Sequence, residues 1–328
     1  MALFIVRRLI GLVVVLFAIT VLTFLIFFAT PGVDPTRSLA GRNPTPETVA
    51  AVRHQFGLDR SKPEQYLLMM KRLFISRDLV SYGNQALKVV PAITAATPVT
   101  FSLVIGAAVI WILLSILTGV LAVVLKGSIW DPLLMIVALI GISLPVFWLG
   151  EVANLITQDR LHDTFLFSWV PPLGYTPLTE NPWQWFLHLI IPWLTLAALY
   201  VGFYARVLRA NLLDVANEDF VRTARAKGIT ERQILMRHVL RNSMIPVVTL
   251  WGLDFGAVVG GGAILTETVF NLNGVGLYAG QAIGSLDLPP LMGVTMFGAF
   301  FIVLFNTIVD VLYAFLDPRI RLGEAAPA

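Results

Sequence analysis

The sequence predicts an all-α membrane protein with six transmembrane helices, on three observations. Hydrophobic residues make up 57% of the 328 and charged residues 13%, against about 45–50% and about 25% in soluble domains; mean hydropathy is +0.80. Apolar runs near or above the ~20 residues that cross the hydrocarbon core recur at Leu9–Thr30, Pro98–Leu125, Pro132–Thr157, Phe186–Tyr204, Met244–Leu265 and Leu291–Leu316. The charges between these runs are sorted. Arg206–Ser243 carries eight Lys/Arg against four Asp/Glu, whereas Glu267–Pro290 carries no Lys or Arg. A basic excess in a short connecting loop marks the cytoplasmic side. The net charge of +3 therefore reflects membrane sidedness and says nothing about nucleic acid. With no Cys, disulfides, thiolate metal sites and cysteine nucleophiles are excluded.

Arg7 and Arg8 precede the first run. A secretory signal peptide has a core of roughly 7–15 apolar residues and a small-residue cleavage site. This run is longer and no such site follows, so residues 1–30 are expected to be a retained helix with its N-terminus in the cytoplasm. Residues 31–97 are polar enough to form a small extracytoplasmic subdomain. Its nine Lys/Arg are compatible with that side, because segments beyond about 60 residues translocate largely regardless of charge. Thr45-Pro46-Glu47 starts a helix ending near Phe56-Gly57. Ser61-Lys62-Pro63 opens another, with Tyr66, Leu67, Met70 and Phe74 on one stripe. Residues 98–316 form the membrane core, with a cytoplasmic loop over residues 206–243. Lys126–Asp131 is a short inner loop, and Gln158–Trp185, with Trp169, Trp183 and Trp185, suits an outer interface belt. Arg319 and Arg321 return residues 317–328 to the cytoplasm. Both termini inside requires an even number of spans, which six satisfies.

Asp214–Ser243 is the segment built to touch a partner. Leu213, Ala216, Phe220 and Ala224 recur at helical spacing, so its first half reads as an amphipathic helix. Gly228 supplies the permissive backbone of a helix C-terminus. Thr230 and Gln233 have the spacing of a capping box opening a second helix, which carries Ile234, Leu235 and Val239 on one side and Arg232, Arg237 and Arg241 elsewhere. A DNA-binding helix-turn-helix uses a similar turn, but hydrophobic spans on both sides leave little room to dock DNA, and no nucleic-acid partner is expected.

In the fifth run Gly252, Gly256 and Gly260 form Gly-xxx-Gly-xxx-Gly, the spacing that lets helix backbones approach closely in a membrane, either within the bundle or across a subunit interface. Glu151, Asp254, Asn306 and Asp310 lie within or near the ends of apolar runs. Such groups are costly in lipid and tend to face a cavity or a partner. Asp254, in mid-span, could line a translocation path and attract a substrate amine, or could bond a neighbouring helix. His54, His162, His188 and His238 have no ligand spacing, and neither Gly-x-Ser-x-Gly nor a P-loop occurs. No metal site and no catalytic residue is expected, and the chain has no P-loop with which to bind ATP.

The segment Phe220-Val-Arg-Thr-Ala-Arg-Ala-Lys-Gly228, followed by Arg237-His-Val-Leu-Arg-Asn-Ser-Met-Ile-Pro246, resembles the coupling loop of ABC-importer permease subunits. The usual pattern is Glu-Ala-Ala, three residues, Gly, nine residues, Ile, one residue, Leu-Pro. Ala224, Gly228 and Leu240 keep that spacing. Arg222 and Thr223 stand where it begins Glu-Ala, His238 at the Ile place and Arg241 at the Pro place. These departures match the dipeptide/oligopeptide/nickel branch. Thr45-Pro46-Glu47 through Gln65-Tyr66 also resembles that branch, and Arg77-Asp78-Leu79-Val80 matches its Gly-Asp-Leu-Gly stretch with two replacements. Glu267-Thr-Val-Phe-Asn271-Leu-Asn-Gly274-Val-Gly276 is similar to its outer loop, with Asn273 in place of Pro, and Tyr313–Arg321 to its C-terminal signature.

The resemblance implies a permease subunit of an ATP-driven importer in the bacterial or archaeal plasma membrane, carrying di- or oligopeptides; nickel, glutathione and oligosaccharides are the other cargoes of the branch. It implies a second permease subunit in a heterodimer, one or two cytoplasmic ATPase subunits holding the ATP and Mg, and an extracytoplasmic substrate-binding protein. Ala224 and Gly228 would allow close packing in the coupling loop, and Arg222, Arg225, Lys227 and Glu231 would meet the ATPase. Glu267, Asn271, Gly274 and Gly276, with Asp254, would belong to the path and its outer mouth. Two other classes remain: an ion-coupled secondary transporter using Asp254, and a membrane-embedded enzyme, for which the spans offer few convergent polar groups.

Overall fold

The computed structural model describes residues 2–26, 45–84 and 86–316. Expectations for Pro31 onward to residue 44, and for the tail with Asp317, Arg319 and Arg321, lie outside the described residues. The described chain is helical: α1 Ala2–Phe24, α2 Pro46–Phe56, α3 Lys62–Met70, α4 Val89–Val124, α5 Trp130–Ser143, α6 Val146–Arg160, α7 Pro182–Val215, α8 Asp219–Ala226, α9 Glu231–Gly262, α10 Ile264–Val269, α11 Val275–Ser285 and α12 Leu288–Leu316. Five helices (α1, α4, α7, α9 and α12) are long and apolar enough to cross a membrane, and a sixth span exists if α5 and α6 count as one.

That pair corrects the expected continuous span Pro132–Thr157. α5 and α6 meet at 95°. Pro145 disfavours helical backbone at the residue before it, and Leu144 is extended at φ −99°, ψ 136°. The second span begins at Val89, ahead of the expected Pro98, because Val89 and Ile93 are buried in a tertiary core. The fifth does not run unbroken to Leu265. Gly261, at φ +154°, breaks it and α10 starts afresh; only glycine takes such a backbone readily.

The chain divides into two compact units, residues 1–101 with 259–304 and residues 102–258 with 305–328. In the first, α3 buries Gln65 and Met69, and the π-helical turn Lys71–Ile75 that continues it buries Leu73. The expected stripe is off by one position: Leu67 and Phe74 are exposed, and Tyr66 and Met70 only partly buried. The buried face joins Phe24, Leu79, Val89, Ile93, Met292 and Met296 in one core. Tyr66 hydrogen-bonds Thr20 of α1 at 2.7 Å. The Asp287 carboxylate, just before α12, accepts from the Ser81 hydroxyl and from the N–H groups of Tyr82 (2.9 Å) and Gly83 (3.1 Å), pinning that loop.

In the second unit α5 and α7 run antiparallel in contact along their length. A Cβ placed on Gly202 would lie 1.9 Å from the Ala138 carbonyl oxygen, and one on Gly141 2.4 Å from that of Ala198. Near the far ends of the pair, Arg209 grips Asp131 bidentately at 2.9 and 2.6 Å. α4 is tied to its neighbours by indole N–H groups: Trp193 donates to the Ser102 carbonyl (2.9 Å) and Trp251 to that of Ala108 (3.2 Å).

The glycine stripe of α9 packs inside the chain at two of its positions. A Cβ on Gly252 would meet Val309 at 2.3 Å, in the second unit; in the first, a Cβ on Gly260 would meet Ile302 at 2.6 Å, and one on Gly298 would lie 2.1 Å from the Gly260 carbonyl oxygen. Gly256 is buried. Gly202→Val is therefore expected to force α5 and α7 apart. Overpacking of this kind costs roughly 1–3 kcal/mol or more. The purified protein should melt several degrees lower, whereas Gly284→Ala, where the added Cβ meets nothing within 4 Å and alanine is the better helix former, should not lower the melting temperature.

Candidate functional site

The basic segment forms a helical elbow at the end of α7. The amphipathic helix expected from Leu213 is divided: Leu213 belongs to α7, which ends at Val215, and α8 begins at Asp219. The turn between them is closed by backbone bonds from Ala216 to Leu212 (3.0 Å), Asn217 to Asp214 (3.1 Å) and Glu218 to Val215 (3.1 Å). α8 buries Val221 and Ala224, and Phe220 faces outward, 41% exposed. Asp219, in the first turn where a carboxylate favours the helix dipole, pairs with Arg222 at 3.3 Å.

Gly228 ends α8 in a Schellman motif. Its φ is +77°, the N–H of Ile229 reaches the Ala224 carbonyl (3.3 Å) and that of Gly228 reaches Arg225 (2.9 Å), which satisfies carbonyls the helix end would leave open. Within the chain nothing lies within 4 Å of where its Cβ would be, so Gly228 serves backbone conformation and not close packing. Thr230 occupies the N-cap of the next helix but its side chain makes no capping bond. Instead Arg225 and Glu231 join across the turn at 2.8 and 3.3 Å, an exposed pair of small energetic worth. Lys227 is exposed beside them. Ile234 and Val239 are buried in a π-helical winding. With Val120, Val123 and Val124 they line an open apolar groove rimmed by Arg225, Glu231 and Arg232.

Asp254 is half-buried on α9, and its Oδ2 accepts a 2.6 Å bond from the Tyr204 hydroxyl of α7. Of the two roles open in the sequence, the bond to a neighbouring helix is present.

Glu267 is fully buried. Thr100 Oγ1 donates to Oε1 at 2.7 Å and the Leu277 N–H to Oε2 at 3.0 Å, while the Val275 N–H donates to Thr100 Oγ1 at 2.9 Å. Leu277 and Val275 lie in the first turn of α11, whose N-cap is Gly274, a residue with no side chain to offer. The Glu267 carboxylate, from a different helix, takes over the capping role. The glycines follow from it: a Cβ on Gly274 would lie 2.3 Å from the carboxylate and one on Gly276 2.9 Å. The structure thus brings Glu267, Gly274 and Gly276 together in one buried knot. Asn271 stands apart, exposed at the left-handed end of α10 with φ +51°. Burial pushes the Glu267 carboxyl up to about 7, against the downward pull of its Thr100, Leu277 and Gly276 hydrogen bonds.

Sequence reasoning missed Thr100, Tyr204, the Asp131–Arg209 pair and the Asp287 anchor. Asp131 and Arg209 read as a loop residue and an ordinary basic residue, and their partnership is set by the register of two antiparallel helices. Thr100, beside Pro98, carried no signal at all.

Residues 112–322 match the family model of the binding-protein-dependent transport system inner membrane component. Residues 1–104 match the model of the N-terminal part of such membrane components. A Brucella abortus (strain 2308) protein whose name describes a peptide transport system permease is 36% identical, over 97% of this chain and 98% of its own. The glutathione transport system permease protein GsiC of Escherichia coli O6:H1 is 35% identical over 97% and 98%. The dipeptide transport system permease protein DppB of Alkalihalophilus pseudofirmus is 32% identical over 96% and 98%.

The Glu267 knot makes stability depend on pH. The folded carboxyl holds its proton more tightly than the ordinary value of 4.5, so its contribution is fully present below about 4.5 and is lost as pH rises through about 7. The whole effect is on the order of 3 kcal/mol. Thermal melts at pH 5 and pH 8 should show the wild type losing more stability than Glu267→Gln, which cannot ionise; equal losses would contradict the buried acid.

Proposed function

The chain belongs to the family of binding-protein-dependent transport system inner membrane components, and from that premise we propose that it forms the translocation path of an ATP-driven importer of di- or oligopeptides. It is a multi-pass membrane transport subunit. The cargo rests on the peptide, dipeptide and glutathione permeases it resembles. With no P-loop in its sequence, ATP and Mg belong to one or two separate ATPase subunits. A second permease subunit completes the membrane part as a heterodimer, and an extracytoplasmic binding protein delivers the cargo. Both termini and the elbow face the cytoplasm; the segment after α9 faces outside.

The single observation that carries this reading is the elbow. α8 presents Arg222, Arg225 and Lys227 outward on a short helix whose other face is buried, which suits a partner groove. An ATPase that closes on ATP would push α8 sideways. The push passes into α7 through the hydrogen-bonded turn Ala216–Glu218, and from α7 into α5, because Gly141, Gly202 and Arg209–Asp131 lock those helices together. At the other mouth, the Glu267 knot would hold the α10–α11 turn in shape, with Asn271 exposed toward the binding protein.

Gly228→Val tests the elbow. A left-handed β-branched residue costs roughly 1–2 kcal/mol, enough to unwind the end of α8. Stimulation of ATP hydrolysis by loaded binding protein should fall several-fold with membrane insertion intact, and unchanged coupling would refute the assignment. Asp131→Asn, which leaves Arg209 without its ion-pair partner, should weaken transport more than ATP hydrolysis, and the exchange Asp131→Arg with Arg209→Asp should restore part of it. A single variant as active as wild type would exclude the pair from force transmission.

A further inference from the structure

We propose that Asp254 and the aromatic rings around it form a subsite for the primary ammonium group of the cargo, an inference that rests on the transport reading above. A carboxylate in a membrane span is costly unless it faces a partner or a water-filled path. Three other carboxylates show how this chain satisfies such groups. Asp131 has a bidentate arginine, Asp287 three donors and Glu267 a hydroxyl and backbone N–H groups. Asp254 has the Tyr204 hydroxyl on one oxygen, and among the described residues no Lys, Arg or His forms an ion pair with it. The other carboxylate oxygen is left for a cation from outside the chain.

The surroundings select the kind of cation. Tyr200 lies one turn before Tyr204 on α7, and Trp251 one turn before Asp254 on α9, so each pair shares a helix face. Trp111 of α4 bridges them: its ring stacks on Tyr200 at 4.5 Å and lies 6.3 Å from Tyr204 and 6.4 Å from Trp251. Tyr200, Trp251 and Asp254 are half-buried, in front of fully buried Trp111 and Tyr204. Electron-rich ring faces beside a carboxylate attract an ammonium ion. A divalent metal prefers several oxygen ligands and a sugar has no charge to offer. An α-aminoacyl group supplies the cation that this carboxylate lacks within the chain.

The test uses the purified complex of permease subunits and ATPase, without binding protein, titrated calorimetrically with L-alanyl-L-alanine amide and with its N-acetyl derivative. The wild type should bind the free amine and take the acetylated compound at least roughly tenfold more weakly, the worth of one charge-assisted contact. Asp254→Asn should erase that difference and Asp254→Glu should keep it. Tyr200→Leu, which leaves the carboxylate and its Tyr204 bond in place, should reduce the difference and decides the matter if Asp254→Asn fails to assemble. Equal binding of the two compounds by the wild type, no binding of either, or an undiminished difference in the variants overturns the subsite. ATP-driven peptide uptake by the complete importer, measured in parallel, reports separately on the transport reading, which a failed subsite leaves standing.

Discussion

Lipid is as apolar as leucine, so the hydrophobic effect that holds a soluble bundle together cannot choose partners for these helices. What fixes them is backbone approach where a side chain is missing. Gly141 and Gly202 let α5 and α7 touch through carbonyl oxygens, and that contact sets a register. Ala198, Gly202 and Arg209 share one face of α7 and meet Gly141, Ala138 and Asp131 in reverse order on α5. The part-buried ion pair depends on the register the glycines allow: shift the helices by one turn and Arg209 loses Asp131, leaving the buried aspartate without its partner. The opposite side of α7 carries Tyr200 and Tyr204 toward α4 and α9. The same helix thus carries the Arg209–Asp131 pair on one face and the Tyr204–Asp254 bond on the other.

Helix ends follow a second rule. α2, α8, α10 and α11 all close with the paired backbone bonds of a Schellman motif, around Gly57, Gly228, Asn271 and Leu286. The two glycines are legible in the sequence because glycine takes the left-handed conformation without cost. Asn271 is less so, and Leu286, at φ +53°, is invisible, because a leucine there is disfavoured by roughly 1–2 kcal/mol. Its surroundings impose the conformation: the next residue, Asp287, is held by Ser81, Tyr82 and Gly83. Glu267 shows the same limit. Its position after an apolar run suggests an exposed outer loop, whereas its burial follows from Gly274 and Gly276, whose missing side chains leave room for the carboxylate to cap α11. The pattern Glu…Gly-x-Gly is visible in one dimension and its cause only in three.

The hydrophobic runs were legible as spans, and their interruptions were not. Pro98, Pro192 and Pro246 sit inside helices that continue past them, while Pro145 turns the chain through 95°. Hydroxyls near these prolines bond back to the preceding turn, Thr97 Oγ1 to the Ile93 carbonyl (2.6 Å) and Ser243 Oγ to that of Val239 (2.9 Å), and Ser143 Oγ does the same to Leu139 (3.0 Å) just before Pro145. Serine and threonine can do this in a membrane helix where water cannot. At Pro145 the preceding residue, Leu144, is nonetheless extended, so a back-bonded hydroxyl does not decide the outcome. Proline in a span thus marks a place for a break, and the backbone of the residue before it shows whether the break is made.

Taken together, these constraints say where a push on the elbow can go. The exposed side of α8 carries the basic residues, and its other side is anchored by Val221 and Ala224. The turn into α7 is closed by three consecutive backbone bonds, so bending it means breaking them. α7 itself has no break between Pro182 and Val215, and it cannot slide along α5 without driving Gly202 off the Ala138 carbonyl and separating Arg209 from Asp131. The low-cost movement is for α8, α7 and α5 to shift as one piece. That piece ends at Ser143, where Leu144 leaves the helix and the chain reverses into α6. A displacement applied at the elbow would then reach the 95° bend, where Leu144 is already out of helical conformation.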